Sequence, residues 1–319
     1  MAAGTGNTTC VAAATCTSAA NVCGATQSNY YNACDTSCTT PGVPTNTCSF
    51  SFTTCAATGS AGPTQGQCNT AYPSGNTLYN NVTVSTTSPT IGMQSWTVPG
   101  SGTNNWVVKV QGAQGGALVT SGSDGYGALE QGTFALASGT ILRMLVGQAG
   151  TTTASEASGG GASVVYSSAT SGPIVIAGGG GGMASTASAT SEGQASATAC
   201  STTGLGGADT ANHGAGGGGY SGNGTADSTA LGGVAYTGGG TGGTGGAIAG
   251  GFGGGGDVRV ATSSGGGGGW VGGSAAAVAT GAYANGGTSC ISTTTSVTDT
   301  SGGAASGAGS ITLTPSGAF

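Results

Sequence analysis

Acid–base catalysis requires titratable side chains that the fold holds close together, and this chain offers few candidates. Its nine carboxylates lie far apart in the sequence: Asp35, Asp124, Glu130, Glu156, Glu192, Asp209, Asp227, Asp257 and Asp299. The one histidine, His213, could act as a base toward a serine, but its place beside a glycine run is more typical of a loop. We therefore predict no catalytic residues and a protein that is not an enzyme.

Phosphate and metal sites are also poorly supported. A phosphate loop needs a glycine-rich turn followed by Lys-Ser/Thr and a helix, whereas the one lysine, Lys109, falls in a predicted strand. The nearest candidate for calcium is 121–125, which reads better as a tight turn. Asp257 and Arg259 would share one side of an extended chain, as an ion pair between two glycine segments or a recognition point at a loop tip. We predict no metal and no cofactor.

The ten cysteines indicate an oxidising, extracellular compartment. The first eight are crowded together and the last two stand apart: Cys10, Cys16, Cys23, Cys34, Cys38, Cys48, Cys55, Cys68, Cys200 and Cys290. No C-x-x-C pair occurs, which argues against zinc. We predict four disulfides in the N-terminal group, with about 105 possible pairings, and a bridge between Cys200 and Cys290.

Three N-glycosylation sequons, at Asn7, Asn81 and Asn223, agree with secretion. The first residues carry neither a basic region nor an apolar core, so we expect a mature or trimmed form. No run of about 18 apolar residues occurs, so we expect no membrane insertion.

Charge is scarce, at three basic and nine acidic residues. Binding nucleic acid requires a basic footprint that displaces counterions, so we predict no nucleic-acid partner. A nearly uncharged surface gives little repulsion between copies. The sequence therefore favours a chain that associates with itself as a homo-oligomer or filament.

Composition divides the chain into three parts. We predict a disulfide-stapled Cys-rich segment over 1–70, a linker over 71–93 and a glycine-rich β-sandwich domain over 94–319. Short apolar and β-branched runs in the last part predict strands: 96–98, 106–110, 133–136, 141–146, 163–166, 174–177 and 310–314. We predict an all-β fold with an antiparallel sandwich.

Glycine dominates the region 147–309, which we predict to be a bundle of extended, left-handed, three-fold helices of the polyproline-II type. Such helices make no internal hydrogen bonds, so neighbouring backbones must satisfy one another, and facing positions must be glycine. We expect nine glycines in the bundle core: Gly178, Gly180, Gly182, Gly216, Gly218, Gly254, Gly256, Gly266 and Gly268. An edge helix can keep Thr or Ala at every third position, as 241–246 does.

The order of motifs over about 94–314 resembles the glycine-rich domain of the anaplastic lymphoma and leukocyte receptor tyrosine kinases and of many bacterial, phage and protist surface proteins. The residues that carry the resemblance are Trp96-Thr-Val-Pro99, 106–113, 145–147, 161–165, 174–182, 250–256 and 265–273. The resemblance implies a jelly-roll-like sandwich with long insertions folded as a glycine-helix bundle. In the receptors this region takes part in ligand recognition, and in phage-type relatives similar platforms present adhesive loops. The Cys-rich segment lies outside the resemblance.

Three functions remain open. We expect an extracellular structural protein that assembles into a filament, appendage or surface coat. An adhesin or ligand-binding module, with loops such as 183–200 and 220–237 contacting surface glycans or receptor proteins, is the alternative. An ice-binding protein ranks below both, because only 237–246 repeats regularly.

Overall fold

The fold is described from a computed structural model, which covers residues 49–100, 102–118, 125–153, 155–184, 190–209, 214–259, 263–276, 283–293 and 295–316. Several sequence predictions fall outside these residues: the six cysteines from Cys10 to Cys48, the Asn7 sequon, His213 and Asp124. None of the helices in the described residues is long and apolar enough to cross a membrane.

Two antiparallel sheets form the scaffold and confirm the prediction of an all-β fold. The strands are β1 (Phe50–Phe52), β2 (Thr83–Val84), β3 (Gln94–Thr97), β4 (Thr103–Gln111), β5 (Leu129–Ala137), β6 (Ile141–Leu145), β7 (Ser163–Ser167), β8 (Gly172–Ala177), β9 (Cys290–Ile291), β10 (Thr298–Thr300) and β11 (Ser310–Pro315). One sheet has the order β1-β11-β4-β5-β10, and the other has the order β2-β3-β6-β7-β8-β9. Each predicted strand overlaps an observed one.

Residues 49–93 belong to the same scaffold. β1 pairs with β11, and the helix α1 (Gln65–Ala71) begins with a capping box between Thr64 and Gln67. A disulfide joins Cys55 to Cys68. The stretch 71–93, predicted as a linker, supplies Leu78, Val82 and Val84 to the main core.

The core between the sheets is built on aromatic rings. Trp106 of β4 is fully buried, and its ring lies 5.8 Å from that of Trp96 in an edge-on arrangement. The Phe50 ring lies 4.8 Å from Trp96. Aromatic side chains contribute more buried apolar area than any others, so these three residues fix how the two sheets meet.

A second apolar cluster covers the opposite face of the six-stranded sheet. Side chains alternate along β6, so Leu142 faces the main core while Leu145 belongs to the second cluster. The glycine-rich region contributes Tyr220, Tyr236 and Phe252 to this cluster. The glycine-rich region is therefore a third layer, packed on the outside of the six-stranded sheet.

Consecutive N–H groups in the glycine runs donate to three neighbouring segments in rotation. The five residues 265–269 donate, in order, to the carbonyl oxygens of Ala157, Ala215, Asn285, Gly160 and Gly218, at 3.0–3.1 Å. The first and fourth bonds go to 157–160, and the second and fifth go to 215–218. Hydrogen-bond partners thus repeat every third residue. In a β-sheet they would repeat every second residue.

The run 178–182 follows the same rule. Gly179 and Gly182 both donate to 265–268, while Gly180 and Met183 both donate to 113–116. Successive N–H groups of one run point to different sides and donate to different neighbouring segments. Backbone hydrogen bonds therefore link each segment both to its neighbours in the same layer and to those above or below it.

Candidate functional site: the outer glycine face

Among the described residues, three carboxylates are buried: Glu130, Asp227 and Asp257. Glu130 of β5 is fully buried, and its Oε1 accepts a hydrogen bond from the Ser196 N–H at 3.0 Å. Burial, which disfavours the charged form, raises the pKa of Glu130 to about 7, and the Asp299 carboxylate adds to the rise. Ser196 and the Ser289 side chain oppose it by hydrogen bonding.

Asp257 is also buried, and its carboxylate accepts hydrogen bonds from backbone N–H groups of two glycine-rich segments. Its Oδ2 accepts the Gly246 N–H at 2.5 Å and its Oδ1 accepts the Val258 N–H at 2.6 Å. Burial raises the pKa of Asp257, and backbone hydrogen bonds, including one from Leu231, oppose that shift. Arg259, predicted as a possible partner, is half-buried two residues away. Among the described residues, no group of three or more His, Cys, Asp or Glu side chains is arranged to hold a metal ion.

The nine glycines predicted for the bundle core are all buried. At eight of them an added Cβ would lie within 3.0 Å of a carbonyl oxygen from another segment; at Gly180 that oxygen belongs to Gly125, and at Gly268 to Gly253. Gly254 is the exception, since its nearest atom lies at 3.1 Å and its φ of +81° is what requires glycine. Whether the segments are polyproline-II helices stays a prediction.

Four chain segments lie side by side on the outside of the glycine layer, and we call them the outer glycine face: 202–208, 221–227, 230–234 and 241–247. Each is joined to the next by backbone hydrogen bonds, which run from Thr225 to Gly207 at 2.9 Å, from Gly224 to Gly233 at 2.9 Å and from Leu231 to Thr244 at 3.0 Å.

On three of the four segments of the outer glycine face, side chains that reach solvent recur at three-residue intervals. These three segments share the pattern X-Gly-Gly-X, with flanking residues that are exposed or half-buried: Leu205 and Ala208, Leu231 and Val234, and Thr241, Thr244 and Ala247. The glycines between them are buried or half-buried, except Gly245, which is exposed. Leu205 is 67% exposed and Leu231 is 48% exposed. No exposed side chain of these segments is charged, because their one acid, Asp227, is buried.

Runs beneath the outer glycine face support it. Gly216 donates its N–H to Thr225 and accepts one from Gly233, while Gly243 donates to Gly255. A disulfide between Cys200 and Cys290 ties the start of the face to β9 of the six-stranded sheet. The observed pair agrees with the sequence prediction, and the two disulfides of the described residues fit an oxidising compartment.

A groove of about 810 Å³ is a second candidate site. It opens between the two sheets, beside β5 and β8. The rest of each strand lies at a sheet edge there, because β10 pairs only with residues 129–131 of β5 and β9 pairs only with residues 175–176 of β8. Phe134 and Ile174 are among its lining residues, Thr170 and Thr293 are among its hydroxyl groups, and none of the described residues that line it is charged. Such a groove suits an uncharged ligand.

The two sequons within the described residues lie in different places. Asn81 is exposed in the turn before β2, whereas Asn223 is exposed on the outer glycine face. Sequence reasoning singled out the repeat at 241–246 but missed Leu205 and Leu231. The signal was present, because each is a lone large apolar residue followed by two glycines and another small side chain.

No protein-family model matches this chain, and no curated protein matches it. The resemblance to the glycine-rich domain of the receptor kinases therefore stays a prediction that rests on the residues quoted above.

Proposed function

We propose that this chain is a non-enzymatic extracellular structural protein whose copies assemble, through the outer glycine face, into a filament, appendage or surface coat. The proposal is carried by the uncharged side chains of four hydrogen-bonded segments, three of which repeat at three-residue spacing. A face of this kind suits contact with a second copy of itself.

We further infer that the glycine segments are polyproline-II-type helices inserted as a bundle into a jelly-roll-like sandwich. The rotation of N–H groups among three neighbours supports this conformation, which has three residues per turn. At about 3.1 Å per residue, outward side chains would then repeat about every 9 Å. Backbone hydrogen bonds hold these segments before any contact forms, so association costs little ordering entropy.

The energetics of the face favour association over repulsion. Leu205 and Leu231 expose apolar surface that a partner would bury, at about 25 cal/mol per Å². Uncharged neighbours add no like-charge repulsion. Hydroxyl groups of Thr241 and Thr244 can exchange water for hydrogen bonds across the contact.

The test is negative-stain microscopy and light scattering on unglycosylated, non-reduced full-length protein. We expect ordered assemblies. Leu231→Glu and Thr244→Glu place a charge on the face, and a charge buried without a partner is strongly unfavourable, so each should reduce the assembled fraction at least about tenfold. Ile91→Glu is the matched control, because Ile91 is 52% exposed and lies on the turn before β3.

Two results would contradict the proposal. One is an unglycosylated wild-type chain that stays a single particle at high concentration under oxidising conditions. The other is assembly that Ile91→Glu weakens as much as Leu231→Glu does, since assembly would then not depend on the outer glycine face.

The groove between β5 and β8 favours a second function, a ligand-binding or adhesive module. Its uncharged, hydroxyl-bearing lining suits a neutral glycan or a neutral peptide. Screening a glycan array, then repeating any hit with Thr170→Trp, tests this function, because Thr170 lines the groove and the larger side chain would obstruct it. Ala247→Trp, on the outer glycine face, is the control. A hit that survives Thr170→Trp would place binding elsewhere.

A further inference from the structure

Asn223 stands on the outer glycine face and begins the sequon Asn223-Gly224-Thr225. Its side chain is exposed, and it borders a shallow depression of about 420 Å³ whose lining includes Leu231, Val234 and Thr241. Any group attached to Asn223 would therefore share the surface through which we propose that copies associate.

A hydrogen bond to the amide oxygen fixes the Asn223 side chain and leaves its nitrogen available for modification. Its Oδ1 accepts the Ala235 N–H at 2.8 Å, and Nδ2 is the atom that carries the sugar in an N-linked glycan. The link to Nδ2 keeps the amide carbonyl as an acceptor, so glycosylation would leave the native hydrogen bond intact. The folded chain can thus carry a glycan at this position without losing a contact.

We propose that Asn223 is an N-glycosylation site whose glycan covers the outer glycine face and keeps the chain from assembling. This inference rests on the proposed function. In the modification, Nδ2 of Asn223 forms a bond to C1 of a sugar whose C1–O bond to a pyrophosphate-linked carrier breaks. The carrier pyrophosphate leaves with the electron pair of that C1–O bond, and the proton lost from Nδ2 balances its new negative charge. The glycan is bulky and strongly hydrated.

The glycan acts by exclusion. Thr225 is two residues from Asn223, and Gly224 is hydrogen-bonded to Gly233 beside Leu231, so the sugar stands among the outward side chains. A second copy could reach Leu231 only by displacing a hydrated oligosaccharide from the same surface. The glycosylated chain is therefore a soluble single particle, and the unglycosylated chain is the assembling form.

The experiment uses full-length protein from a secretory eukaryotic host, with peptide mass spectrometry across Asn223 and light scattering on the same material. Thr225→Val removes the sequon but keeps Asn223 and the shape of the side chain, while Thr225→Ser retains the sequon. Only backbone atoms of Thr225 bind Gly207 and Gly216, so both variants should fold, which thermal melting checks. Thr83→Val, which removes the Asn81 sequon, is the control.

We expect wild type, Thr225→Ser and Thr83→Val to carry the Asn223 glycan and to scatter as single chains. Thr225→Val should lack it and scatter as a species many times heavier. Two outcomes would overturn the inference while leaving the proposed assembly intact. In one, Asn223 of the secreted wild type carries no glycan. In the other, material with a glycan at Asn223 assembles as readily as Thr225→Val does. If Thr225→Val and unglycosylated wild type both stay single, the proposed assembly itself is wrong and the glycan controls nothing.

Discussion

The Glu130 carboxylate accepts a hydrogen bond from the backbone N–H of Ser196 at 3.0 Å, and this contact joins β5 to the segment that leads into the outer glycine face. The other oxygen, Oε2, is buried with no hydrogen-bond partner among the described residues. A buried carboxylate with one satisfied oxygen is more stable protonated than ionised.

Stability should therefore fall as pH rises. The pKa of Glu130 is raised from 4.5 to about 7 in the folded chain, so the folded state binds the extra proton between these values. The free energy of unfolding should be fully retained below about pH 4.5 and fall by about 1–3 kcal/mol by pH 8. Urea unfolding across this range measures it. Asp257, whose pKa is also raised, contributes in the same direction.

Glu130→Gln should flatten much of this dependence, since the amide has no proton to lose. The matched control is Glu156→Gln, which removes a half-buried carboxylate that hydrogen-bonds Thr153. A slope unchanged by Glu130→Gln would show that Glu130 is not the group responsible.

Gly268→Ala should destabilise the protein severely. The added methyl would fall on the carbonyl oxygen of Gly253, and no rotamer can move it away because it is attached to the backbone. We expect a loss of about 3 kcal/mol or more, or a failure to fold. Gly66→Ala in α1 is the control: no atom lies within 4 Å of the new Cβ, so it should gain about 0.5–1 kcal/mol. Equal unfolding midpoints would contradict close backbone packing in the glycine layer.

The two disulfides should differ in what they contribute. Cys200 and Cys290 are 90 residues apart, whereas Cys55 and Cys68 are 13 apart. A longer closed loop removes more entropy from the unfolded chain. Replacing Cys200 and Cys290 by serine should therefore lower the free energy of unfolding by about 4–5 kcal/mol, and replacing Cys55 and Cys68 should lower it by about 3 kcal/mol. Thermal unfolding of the two double variants measures the order. The reverse order would show that native packing, rather than loop length, dominates.

Arg143 should stabilise the contact between the six-stranded sheet and the glycine layer. Its guanidinium lies 5.3 Å from the centre of the Tyr166 ring, and that ring stacks on Tyr236 at 6.3 Å. Arg143→Gln should cost about 1 kcal/mol, measured by urea unfolding. Lys109→Gln on β4 is the control for losing a cation. Equal effects of the two changes would argue against the cation–π contact.

The sheets could be predicted from sequence because their signal is local. Trp106, Val108 and Val110 alternate with half-buried residues along β4, and period-two alternation is readable without knowing the partner strand. β10 gave no such signal: Thr298, Asp299 and Thr300 are all exposed, and only pairing with β5 makes them a strand.

The order of segments in the glycine layer could not be predicted, for a related reason. Gly266 and Gly268 are chemically identical, yet one donates to Ala215 and the other to Gly160. Neither has a side chain that could encode its neighbour. The burial of Glu130 was equally invisible, since it depends on Ser196, which is distant in sequence.

The rotation of N–H groups through three neighbours also constrains how this chain can change length. Deleting a single glycine from 265–269 would turn every later amide of the run toward the wrong neighbour, so several hydrogen bonds would fail at once. Adding or removing three residues would restore the original facing. Natural variants of this protein should therefore gain and lose glycine-layer residues three at a time, while its surface turns vary by single residues.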